Sequence, residues 1–444
     1  MSKFLSRSLI IILIFSSSCF ASTNTHQIDM NNVAESYVRL VLEVGLYDPD
    51  YVDAYYGPAG WKPSEDENSK QEKFPYDKLS SRVNELITEL EKVNQNEFGS
   101  LEQLRYAFLE KQLLSVKAKI DLLNGKKMSF DDESKALFDA VAPVHDEEYF
   151  NNILTKLDKA LPGEGDIYKR FNNYRKEFIV PKDKFDVVFK AAMAECRRRT
   201  LEHIELPENE NFKVEYVTDK PWVAYNGYKG SYFSLIQINT DLPLDIGVVI
   251  VLASHEGYPG HHVNLALMEK HLFRDRNWVE YSIIPLFSPQ SLIAEGIAEY
   301  ARIDLVFPEN ERIEFERTVL FPMAGFDPSK AEQYFNIMRL KDELDCYGVN
   351  ESARCYLDGK ISKDEAIAWL SKYCLQIPEE AKHNISFIEN YRSYTINYGL
   401  GRDIVKNYIE THGGTDENPE KRWELFYTLL STPQTPSGLV QKSR

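Results

Sequence analysis

Apolar positions recur three and four residues apart over most of this chain, the spacing of helices with one buried face. Leu79, Val83, Leu86, Leu90 and Val93 form one such stripe, and Leu101, Leu104, Phe108, Val116, Ile120 and Leu123 form another. The second stops at Asn124-Gly125, a pair that accepts the backbone of a helix end. Phe185 to Leu201 predicts a third helix, on which Arg197, Arg198 and Arg199 make a solvated or ion-paired face. Pro289 and Pro308 bracket one more, Ser362 with Glu365 is a capping box opening a helix through Tyr373, and Gly413-Gly414 ends a long segment from Asn390. One region reads as strand: Tyr225 to Asn239, rich in Tyr, Phe and Ile and punctuated by Gly227 and Gly230. Asp241-Leu242-Pro243 is then a helix start signal before the uncharged run Ile246 to Ala253. The pattern predicts a mainly α fold with a small antiparallel β-sheet beside that helix.

The uncharged run ends in His255-Glu256-Gly257-Tyr258-Pro259-Gly260-His261-His262. A buried helix that presents His-Glu can bring a metal ligand and a general base to one point. Two histidines at i and i+4 would share a helical face, but position 259 is proline and the next histidine is six residues on. In a straight helix, i and i+6 differ by roughly 120° and about 9 Å. Two nitrogens each about 2.1 Å from one zinc ion cannot sit that way. Looping out two residues at Pro259-Gly260 returns His261 to an effective i+4 position; His262 would need three. The expected pair is therefore His255 and His261, with His262 beside them. The alternative is a helix end whose histidines bind the last carbonyls.

Downstream, Leu292-Ile293-Ala294-Glu295-Gly296-Ile297-Ala298-Glu299-Tyr300 carries two carboxylates one turn apart on a mostly apolar helix. Glu295 would complete a two-histidine site for one zinc ion per chain and leave a fourth position open. Glu299 could accept the other ring N–H of a ligand histidine. The alternative is a solvated stripe paired with Arg302.

HEGYPGHH followed by EGIAEY resembles the bacterial domain of unknown function 885 family, whose pattern is HExxPGHH, then an EGWALY-like segment, then a late SYxxG-like motif. Asn397-Tyr398-Gly399-Leu400-Gly401 matches the last, and Tyr51 to Pro58 resembles a segment found in one branch of the family. The chain departs from the pattern at Ile297, Glu299 and Asn397, where tryptophan, leucine and serine are usual. The resemblance implies a zincin-like architecture of the gluzincin type and zinc peptidase chemistry on small peptides. Glu256 would then move the proton, Tyr398 would donate to the oxyanion, and Arg402 would hold an oxyanion or a substrate carboxylate. In such enzymes an edge strand just before the histidine helix pairs with extended peptide. Two other functions compete: hydrolysis of a non-peptide amide, and a non-catalytic envelope protein with a structural metal site.

Composition narrows the setting. The 444 residues carry a net charge of −17, which argues against nucleic acid and anionic lipid as partners. Lys3 and Arg7 precede an apolar core from Leu9 to Phe15, too short to span a bilayer. This reads as an export leader, cleaved after Ala21 (residues 1–21) or, if Cys19 is lipidated, after residue 18. The mature protein is then periplasmic or an envelope-anchored lipoprotein, its membrane contact limited to that lipid. Residues 22–444 read as one large helical domain, with an N-terminal helical part over about 28–205 and the metal-site part over about 206–444. Cys196, Cys346, Cys355 and Cys374 match no zinc-ribbon or CxxC spacing; a bridge among the last three and buried free thiols are the two readings.

Overall fold

The computed structural model describes residues 24–64, 73–241 and 243–442. The leader, with Cys19 and Ala21, and the acidic stretch 65–72 lie outside the described residues. The helices predicted over 79–93, 101–123 and 185–201 form close to where their stripes placed them, whereas the segment read from Asn390 is broken at Arg392 and its helix starts at Ile396. Tyr76–Glu91 buries Leu79, Val83, Leu86 and Leu90, each of which contributes about 1.5–3 kcal/mol by leaving water. Ser100–Leu123 lies against it, and Lys182–Leu201 carries the arginine triplet paired with Glu195, Glu202, Glu210 and Glu311. The Ser362 capping box is present. All four of those cysteines are free thiols.

The long Ser100–Leu123 helix reaches across to the second half of the chain. Arg105 and Glu280, both 0 % exposed, pair through Nε–Oε1 at 2.5 Å and a second guanidinium contact at 3.0 Å. Two charges so deep are tolerable only because each satisfies the other. One large apolar core draws on residues from Met30 to Leu439, and a small second cluster joins Ala54, Tyr228, Leu265 and Ile284.

The strands differ from expectation. β1 (Val52–Tyr55) pairs antiparallel with a short strand formed much later, at 283–285. The main sheet has three strands: β2 (Asn211–Val217), β3 (Ala224–Tyr228) and β4 (Phe233–Asn239). Their order is β2-β4-β3, with β2 parallel to β4 and β3 antiparallel to it, so the sheet is mixed rather than antiparallel. The single stretch read from Tyr225 to Asn239 is a hairpin, reversed at Gly230, Ser231 and Tyr232, all with positive φ. Alternating residues report which face is buried but carry no sign of strand direction. The order leaves β3 at an edge of the sheet.

After β4 the chain enters the helix Ile246–Leu252, which begins after Asp245 rather than at 241–243. Two further helices complete the surroundings of the histidines. Pro289–Tyr300 starts at Ser288, whose hydroxyl accepts from the Ser291 amide, and Ile396–Thr411 crosses it. The crossing is backbone to backbone: a methyl on Gly296 would lie 2.4 Å from the carbonyl of Gly401. One glycine in each of the two sequence motifs is thus a packing requirement.

Candidate metal centre and active-site cleft

The histidine segment is three pieces of backbone. The α-helix Ile246–Leu252 widens into a π-helical turn over Ala253–Gly257. The chain then passes through a cis Tyr258-Pro259 bond and resumes as the helix His261–Met268. The Gly260 amide donates to the Ser254 carbonyl at 3.0 Å, a span of six residues where an α-helix spans four. Two residues are therefore looped out. Gly260 is required by space rather than by a left-handed backbone: a methyl there would lie 2.0 Å from the His255 carbonyl oxygen.

This detour brings His255 and His261 together. Their Nε2 atoms are 3.1 Å apart, and the Glu295 carboxylate lies 3.2 Å from the first and 3.5 Å from the second. Ligands about 2.1 Å from a tetrahedral zinc ion stand about 3.4 Å from one another. Among the described residues this is the one His/Cys/Asp/Glu trio converging on a common point. Glu295 Oε2 is buried yet has no hydrogen-bond partner, as a ligand oxygen aimed at an ion would be. Burial alone would raise the Glu295 pKa, but His261 and His255 outweigh it and hold it well below the usual carboxylate range. Burial would likewise lower the pKa of His255, yet the Glu295 and Glu299 carboxylates drive it up. The site's field thus favours positive charge between these groups. Two imidazoles, one carboxylate and an open side suit a divalent cation of the zinc type.

Supporting contacts fix these groups. His255 Nδ1 lies 3.1 Å from Glu299 Oε1, which leaves Nε2 as the free lone pair. Arg302 grips Glu299 with two hydrogen bonds, at 2.8 and 2.6 Å, and with burial opposing, these contacts hold its pKa at about 2. Tyr394 donates to Glu295 Oε1 at 2.7 Å. It lies four residues before Tyr398 on the same face, the signal that could have revealed it. Both follow a kink at Arg392 (φ 54°), where Glu133 accepts from the Arg392 side chain and from the Ser393 amide and hydroxyl.

Glu256 is 5 % exposed, and its carboxylate makes no hydrogen bond or ion pair among the described residues. Burial pushes its pKa up, against the pull of His255 and His261. It faces a cleft of two adjoining cavities, about 380 Å³ on the β1 side and about 340 Å³ on the Arg302 side. Both are walled by His255, Glu256, Tyr398 and the β3 edge. Asn226 on β3 ties that edge to the histidine turn, donating to the Glu256 carbonyl at 2.6 Å. The Tyr398 ring sits 6.4 Å from that of His255, and its hydroxyl has no partner among the described residues.

Two residues expected at the site lie elsewhere. His262 is wholly buried and turns to the sheet, 2.8 Å from Ser234 Oγ and 3.0 Å from Glu210 Oε2. Successive helical residues point about 100° apart, so His261 and His262 cannot face one ion together. Arg402 is held by Asp304 at 2.9 Å and lines neither cavity.

No family pattern and no curated protein matches the chain. Solved structures do. A candidate lipoprotein from Colwellia psychrerythraea aligns with a TM-score of 0.51 at 14 % identity, covering 86 % of this chain and 70 % of that one. The two share a fold. An M32 carboxypeptidase from Deinococcus radiodurans R1 aligns over 95 % of both chains at 11 % identity, with a TM-score of 0.49.

Proposed function

We propose that this protein is an exported zinc-dependent peptidase that hydrolyses small peptides in the cleft beside β3. The observation that carries the reading is an unpaired, buried Glu256 next to a converging His255, His261 and Glu295. A structural metal clip has no use for a free carboxylate in its open quadrant. The resemblance of HEGYPGHH and EGIAEY to the domain of unknown function 885 family points the same way.

His255, His261 and Glu295 would hold the ion, with Glu299 fixing the His255 tautomer and Tyr394 the Glu295 carboxylate. Bound there, zinc would supply a Lewis acid that polarises the scissile carbonyl and acidifies water. Glu256 takes a proton from the attacking water as its oxygen bonds to the carbonyl carbon, and returns that proton to the leaving amine as the C–N bond breaks. The Tyr398 hydroxyl donates to the oxygen that gains charge. The β3 edge offers main-chain hydrogen bonds to an extended peptide, which tolerates varied sequences. Export rests on the leader, with Lys3, Arg7 and the apolar run Leu9 to Phe15.

Metal analysis of the purified mature protein, run beside a mixed-peptide digest read by mass spectrometry, tests both halves. One zinc per chain and chelator-sensitive cleavage are expected. A metal-loaded protein that cuts no peptide would return the reading to a non-peptide amide or a structural site.

A further inference from the structure

The cleft is chemically lopsided. Its β1 side contains a carboxylate that the mechanism does not use, Asp53, close enough to His261, Glu295 and Glu256 for their charges to act on it. Among the described residues no lysine or arginine pairs with it. The Tyr225 hydroxyl reaches the same residue, donating to the Asp53 carbonyl at 3.2 Å. Burial pushes the Asp53 pKa up to about 6, which leaves it charged at neutral pH. Aromatic rings line the same cavity: Trp222 and Tyr225 with centroids 5.5 Å apart, and Phe387 and Tyr391 at 4.7 Å. A carboxylate backed by aromatic faces is the chemistry that recognises an organic cation. Lys220 on the same wall is solvent-exposed and makes no ion pair with Asp53.

We propose that Asp53, walled by Trp222, Tyr225, Phe387 and Tyr391, binds a positively charged group of the peptide substrate and sets which residue lies beside the scissile bond. The inference rests on the peptidase reading above. The cation is an α-ammonium or a lysine or arginine side chain, and the two sources share this chemistry. Because a second cavity continues past Glu256 on the other side, the chain extends beyond the cut in both directions.

The test uses zinc-loaded full-length protein and internally quenched pentapeptides. One lysine is walked through each position against norleucine, with free and acetylated N-termini. Wild type is expected to prefer lysine at one position, or the free amine, and the arm that matters identifies the source. D53N should lose roughly 10–100-fold in kcat/KM on the preferred cationic peptide, the effect of removing one charged hydrogen-bond partner. Its rate on neutral peptides should stay within about twofold, which also reports that it folds. D53K should move the preference to glutamate at the same position. Absence of any cation preference in wild type, or an equal loss on all peptides in D53N, overturns the inference. If wild type cuts none of the peptides, the peptidase reading fails, and calorimetric titration with the lysine and norleucine pentapeptides decides this one alone. Tighter binding of the lysine peptide that D53N abolishes sustains it, and equal binding refutes it.

Discussion

At the residue scale the protein separates neighbours that the sequence sets side by side. His261 and His262 are adjacent, yet one faces the cleft and the other the sheet. His261→Ala should therefore remove most bound zinc. His262→Ala should keep the metal and lower stability by roughly 2–4 kcal/mol, because Glu210 loses a buried partner. Metal content and urea midpoints measured on both variants check this; equal zinc loss would mean that His262 is a ligand. Glu256 follows His255 directly, and its carboxylate contacts no other charge among the described residues. Glu256→Gln should keep fold and zinc and lose activity by at least about 100-fold, what a positioned acid–base supplies. Near wild-type turnover by a zinc-loaded Glu256→Gln enzyme would sink the proton-transfer role.

At the element scale, the site depends on interruptions rather than on regular helix. The π-helical turn and the six-residue span to Gly260 deliver His261, and the Arg392 kink delivers Tyr394 and Tyr398. Gly260→Ala adds a methyl 2.0 Å from a carbonyl oxygen, and nothing flexible stands there to yield. It should cost about 1–3 kcal/mol or more and reduce zinc affinity, since relief requires moving the turn that carries both histidines. Thermal melts with and without added zinc provide the measurement: the wild-type increase in melting temperature on zinc should shrink or vanish in the variant. An unchanged increase would show that the turn accommodates a side chain.

At the scale of the whole molecule, Glu210 links three parts of the fold. It sits ahead of β2 and binds Arg197 of the preceding helix as well as Tyr258 and His262 of the histidine segment. Burial would raise its pKa, but those hydrogen bonds outweigh it and hold the carboxyl at about 2. An unfolded glutamate titrates near 4.3. The depressed folded value means that this stabilisation is fully present above about pH 4.5 and is lost as pH falls toward about 2. The group should contribute up to ~3 kcal/mol across that window. Denaturation midpoints against pH should fall more gently for Glu210→Gln than for wild type between those limits. Parallel curves would assign the acid limb to other carboxylates.

The sequence by itself determined the helices and their buried faces, because a 3.6-residue period and capping residues are local properties. It also singled out His255 and His261: rise and rotation per residue let the two share a face only if two residues loop out between them, and the structure has that loop. The glycines of the two downstream motifs were visible too, but not their meeting at Gly296 and Gly401. Only the tertiary structure decided strand direction, the turning of His262 and Arg402 to Glu210 and Asp304, and the arrival of Asp53, Glu133 and Tyr394 around the site. Those are contacts between residues tens to hundreds of positions apart, and no periodicity encodes which buried carboxylate will find which partner. A charged side chain inside the core reads the same in sequence whether it grips an arginine or faces an open cleft.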